Sequence, residues 1–111
     1  MNHPEAWPIE TIVIGGVPYA KDEAIAIMMM PTSTDMTYLM FQHLVAAILN
    51  VEIGNAAGCI SGTITQAQDW MTVNPLGSRV GARSAAWRAG DPLKNLLDSY
   101  NNGLMCAPHR D

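Results

Sequence analysis

Residues Asp35 to Val51, DMTYLMFQHLVAAILNV, decide the fold of this chain. Met36, Leu39, Met40, Leu44, Ala47, Ile48 and Val51 fall on one helical stripe, and Phe41, Val45 and Leu49 spread onto its flanks, so the spacing predicts a helix buried on most sides. Asp35, preceded by Ser33 and Thr34, offers N-cap oxygens to the first free amides, and Gly54 supplies the stop. The apolar run is too short for a membrane span, and Gln42 and His43 interrupt its middle.

Shorter elements are expected to cover this helix. Upstream, Thr11 to Ile14 and Val17 to Ala20 are two β-prone runs joined by Gly15-Gly16, the two-residue connection that permits positive φ at both positions, so residues 11–20 read as a β-hairpin. Pro18 cannot donate to a ladder, and a lone hairpin is marginal, so its apolar face at Ile12 and Ile14 must pack on helices. Lys21 to Met30 reads as a short helix with Asp22 and Glu23 at its positive end and Pro31 beyond it. Before all of these, Asn2 to Pro8 reads as an extended arm with Trp7 as an apolar anchor at the core edge.

Downstream, Ser61 to Thr72 repeats apolar residues at helical spacing through Ile64, Ala67 and Met71, until Pro75 and Gly77 close it. Arg83 to Ala89 reads as one or two helical turns around Trp87. A last helix is expected to start at Asp91, with Pro92 at its first position and Leu93, Leu96, Leu97 and Tyr100 on one face. The expected architecture is mainly α: a small single domain over residues 1–111, with four to five helices around the central one and an N-terminal hairpin.

With 111 residues, one core is affordable. Apolar residues make up 49% of the chain and charged residues only 14%, against about 25% in ordinary soluble domains, a balance that favours burial against a partner. The formal net charge of -4 and six Lys or Arg residues argue against a nucleic acid or an anionic membrane as partner. Cys59 and Cys106 are the only cysteines, and their separation matches no CxxC pattern but suits a structural disulfide. A bridge needs an oxidising compartment, yet the opening MNHPEAWP has neither the charged nor the apolar region of a signal peptide. Either both thiols are free in a cytosolic protein, or the chain is an excised piece of a secreted one.

Three pieces carry a resemblance: Asn2-His3-Pro4-Glu5-Ala6-Trp7-Pro8, then Leu44-Val45-Ala46-Ala47-Ile48-Leu49-Asn50, then Leu97-Asp98-Ser99-Tyr100-Asn101-Asn102-Gly103 followed by Cys106. Together they resemble a helical module found in large secreted multidomain bacterial proteins, alongside immunoglobulin-like and other surface-associated repeats. In that family an aromatic, Tyr-Trp-Lys-like segment usually precedes the Asn-His-Pro, and here Met1 stands in its place. The resemblance implies an excised piece of a bacterial protein, secreted or at the cell surface, and it implies no catalytic residues.

Several groups could carry chemistry or recognition. Met28, Met29, Met30, Met36 and Met40 cluster before and within the central helix, and with Tyr38 and Phe41 they are the expected contact surface for a protein partner or a second copy. Thioethers near His43 could also bind Cu(I), a soft-ligand ion, although core packing is the simpler reading. His3, His43 and His109 lack any HxxxH or HExxH spacing, so they are weak metal candidates, and no cofactor is expected. Arg79, Arg83 and Arg88 with Trp87 form the one basic concentration, able to grip a carboxylate or phosphate or to stack on the indole. No GxSxG, SxxK or paired Cys-His arrangement exists. The expected function is therefore a non-catalytic interaction or structural module, with a small-ligand, metal-binding or enzymatic domain as the alternative class.

Overall fold

The computed structural model describes residues 10–54 and 58–103. Its order is β1 (Thr11–Ile14), β2 (Val17–Ala20), α1 (Lys21–Met28), α2 (Met36–Glu52), α3 (Ser61–Val73) and α4 (Ala85–Asn101), a mainly helical fold opened by one hairpin.

β1 and β2 pair antiparallel from Thr11 opposite Ala20 to Ile14 opposite Val17. Gly15 and Gly16 turn the corner at φ 61° and 82°, as a primed turn requires. Ile12 and Ile14 point inward and are buried, while Thr11 and Val13 face out. The turn is seated on α3 by one side chain: Gln68 Oε1 accepts from the Gly15 amide at 2.6 Å, and its Nε2 donates to the Val13 carbonyl at 2.9 Å. A Cβ on Gly15 would lie 2.8 Å from the backbone of Met71, so this position needs glycine for space as well as for its φ.

α1 follows β2 directly. Its first turn is tied back by the Lys21 amide donating to the Glu10 carbonyl and by the Ala20 amide donating to Glu23 Oε1, both at 2.9 Å. It ends at Met28, two residues short of the expected Met30, because Gln42 of α2 donates through Nε2 to the Met28 carbonyl at 2.8 Å and supplies the partner that a further turn would have given.

α2 is the axis of the molecule. No residue from Asp35 to Val51 is exposed, and Met40, Phe41, Leu44, Val45 and Ala47 are wholly buried. α1, α3, α4 and β1 all pack on it. Tyr19 of the hairpin meets Phe41 edge to face, ring centres 5.1 Å apart. The apolar density of residues 35–51 also suggests more sides than a three- or four-helix shell of this length can cover, and here the structure corrects the sequence reading. These four elements suffice, because the hairpin closes a side that helices alone would leave open.

α4 also departs from expectation. It is one helix that begins after Ser84, whose Oγ accepts from the Trp87 amide at 3.2 Å, and Pro92 lies in its interior rather than at its start. Trp87 is buried with its ring edge to face against Trp70, 5.5 Å between centres, and Trp70 Nε1 donates to the Ala86 carbonyl at 2.9 Å. These contacts fix the turns before Asp91 and carry the helix through the proline. Trp7 and the rest of the expected N-terminal arm lie outside the described residues.

Candidate functional site

At the start of α2 the chain arranges a loop around one carboxylate. Asp35 Oδ1 accepts from the Thr37 amide at 3.0 Å, the Thr37 hydroxyl at 2.7 Å and the Val80 amide at 3.2 Å, and Oδ2 accepts from the Arg79 amide at 3.0 Å. The Met36 amide donates to the Val80 carbonyl at 2.8 Å, and the Gly77 amide donates to Thr37 Oγ1 at 3.2 Å. Burial alone would raise the Asp35 pKa, but the hydrogen bonds from Thr37, Arg79 and Val80 outweigh it and hold the carboxyl below its ordinary range. The sequence foretold Asp35 as an N-cap. Its hold on residues 79 and 80 leaves no local signature.

Pinning the 77–80 loop to α2 opens a cleft of about 640 Å³, lined by Met30, Pro31, Thr34, Asp35, Tyr38, Gly77 and Arg79. Met30, Pro31, Thr34 and Arg79 are exposed at its walls and Tyr38 is half-buried. Met29, next to Met30, is 81% exposed, the most open large apolar side chain among the described residues. Arg79 holds φ at 60°, the only non-glycine residue among those described with a positive φ. Its side chain has no ion pair among the described residues, where the basic partners of such pairs are Lys21, His43 and Lys94.

The structure thus sorts the residues singled out in the sequence. Met30 and Tyr38 from the expected contact surface meet Arg79 from the basic stretch in one cleft, with Met29 beside it. Met36, Met40 and Phe41 do not belong to any surface: they are buried, since they occupy the inward positions of α2. Met28 is half-buried against the core. Arg83 and Arg88 are exposed, whereas Trp87 is turned inward to Trp70 and is unavailable for stacking under an arginine or a ligand. Pro31, Thr34 and Gly77 were not anticipated as site residues, and only the Pro-Thr-Ser-Thr and Pro-Leu-Gly-Ser loop compositions mark them in the sequence.

His43 faces α4 rather than the exposed methionines. Its Nδ1 lies 3.8 Å from Asp98 Oδ1, and its carbonyl accepts from Asn101 Nδ2 at 3.1 Å. Burial depresses its pKa, Asp98 partly opposes that, and Lys94 adds to the depression. Among the described residues no three His, Cys, Asp or Glu side chains gather as a metal site would need. His3, His109 and Cys106 fall outside the described residues, so the expected Cys59–Cys106 bridge does too. A second groove of about 290 Å³ runs between α2 and α3, lined by Ile48, Val51, Glu52, Ser61, Ile64 and Thr65. Among the described residues no helix is long and apolar enough to cross a membrane.

No protein-family model, curated protein or solved structure matches the chain.

Proposed function

We propose that this domain is a non-catalytic interaction module of a bacterial extracellular or surface protein, joining another protein or a second copy of itself through the cleft at the start of α2 and the methionines at its rim. One observation carries the reading: Met29 and Met30 stand 81% and 44% exposed beside a cleft that also presents Tyr38 and Arg79, whose side chain has no ion pair among the described residues. Thioethers repack around differently shaped partners at little cost, and an aromatic ring with an arginine nearby is the composition enriched where proteins bind one another. Among the described residues Asp35 is the one carboxylate lining the cleft, and both its oxygens accept from the chain's own donors. The extracellular setting draws on the resemblance and the two cysteines.

Light scattering coupled to sizing chromatography, run over a range of concentrations, tests the association. The wild-type chain is expected to exceed the 12.0 kDa monomer mass as concentration rises or when a bound peptide is supplied. Met29→Lys should keep the helical circular dichroism and lose the association. Met40→Lys should instead lose the fold, because its ammonium would be buried without a partner. A wild-type chain that stays monomeric and binds no peptide from a display library removes the reading.

A further inference from the structure

Resting on the interaction reading above, we infer that the cleft takes an acidic segment of a partner polypeptide. Its Asp or Glu carboxylate meets the Arg79 guanidinium, and an adjacent apolar side chain lies against Met30, Pro31 and Tyr38.

The charge argument starts from what is already spent. Among the described residues Asp35 is the one acid in the cleft, and four donors hold it on the chain's own backbone and on Thr37, so it does not swing out to pair with the Arg79 guanidinium. No acid lies between Asp69 and Asp91, while Arg79, Arg83 and Arg88 all fall in that interval and none has an ion pair among the described residues. The 70–90 segment of an otherwise acidic chain therefore carries positive charge alone. A guanidinium offers a planar fork that matches a carboxylate with two parallel hydrogen bonds.

The backbone argument is independent of charge. A left-handed φ costs a residue with a Cβ about 1 kcal/mol, and turns usually place Gly or Asn there. Here the position carries an exposed arginine, held by its amide to Asp35. Its side chain adds nothing to the core, yet the anchored amide aims it from a fixed base at the cleft, where it forms one wall.

Shape decides between a peptide and a small molecule. The volume is within the range of ligand pockets, but small-molecule sites engulf most of their ligand. Met30, Pro31, Thr34, Gly77 and Arg79 are all exposed, so the cleft is open along its side and suits a chain passing through it.

The test is selection of a random dodecapeptide phage library on the immobilised full chain, with Arg79→Gln as counter-selection. The expected product is a consensus with Asp or Glu beside an apolar residue. A synthetic peptide from that selection should shift the amide resonances of Thr34, Gly77 and Val80. Changing its acid to the amide should weaken binding about tenfold, and so should Arg79→Gln, with no further loss when the two are combined. The peptide change needs no variant protein, so the result does not depend on how Arg79→Gln folds. Peptides that bind without an acid, that bind Arg79→Gln equally well or that shift other amides overturn the inference and leave the association reading standing. A library that yields no binder overturns the inference, and together with a monomeric wild-type chain it overturns both.

Discussion

Asp35 shows how much one side chain can hold together. An N-cap satisfies one or two amides of its own helix, but this one also fixes residues 79 and 80, and through them the loop that forms a wall of the cleft. Asp35→Asn keeps an acceptor for Thr37 and sets an NH2 group against one of the remaining donors, so it should cost about 2–4 kcal/mol at neutral pH by urea denaturation. The sign of its pH dependence follows from the depressed pKa. The unfolded chain takes up the proton more readily, so the stabilisation is complete above the unfolded carboxylate value near 3.9 and is lost as pH falls through the lower folded value. The gap between wild type and Asp35→Asn should therefore narrow as the pH falls below the unfolded carboxylate value, and a gap that stays constant would contradict the bonding described. The capping role was legible in the sequence, because Ser-Thr-Asp before an apolar run is a local pattern. The reach across more than forty residues was not, since nothing near Arg79 or Val80 announces an acceptor.

At the scale of elements, α4 is where local and tertiary information conflict. Asp91-Pro92 is a good helix start, and the spacing after it holds for Leu97 and Tyr100, which are buried, and for half-buried Leu93, but not for Leu96, which is 42% exposed. Yet the helix begins at Ala85, and an internal proline costs about 3 kcal/mol in an isolated helix. Burial of Trp87, its edge contact with Trp70 and the bond from Trp70 Nε1 to the Ala86 carbonyl together offset a cost of that size. Gly90 makes the arrangement possible, since a Cβ there would lie 2.8 Å from Trp70 Cε2 and 2.9 Å from Nε1. Gly90→Ala gains about 1 kcal/mol in helix propensity but should still lower stability by about 1–3 kcal/mol, because the indole is confined on both sides. In a Trp70→Leu background the same change should be neutral or stabilising. Thermal unfolding of the four chains of that cycle checks the claim, and equal losses in both backgrounds would refute it. The hairpin shows the opposite case: Gly15-Gly16 and the alternation of β1 are both local, and the observed strands coincide with the predicted residues 11–20.

For the molecule as a whole, periodicity located the core and could not locate the cleft, which arises where the segment 30–34 meets the loop 77–79. The same distinction governs how the two cysteines are tested. Cys59 stands just before α3, and Cys106 follows α4 by five residues. At the end of α4, Asn50 Nδ2 donates to Asn101 Oδ1 at 2.9 Å, so the chain leaves that helix beside the last turns of α2. Cys59 lies nine positions after Asn50 and Cys106 five positions after Asn101 in the sequence. A bridge would close a loop of nearly fifty residues and, on the chain-entropy account, contribute about 4 kcal/mol. It would fasten the C-terminal segment to the start of α3, around the α2 end opposite the cleft. Under oxidising conditions the intact mass should lie two hydrogens below that of the reduced chain with no covalent dimer, and reductant should lower the urea midpoint. Two thiols open to alkylation in the oxidised, folded protein would refute the bridge and remove one support for an extracellular setting. The cleft would be untouched by that result, because its geometry rests on Asp35 and Thr37 and not on sulfur.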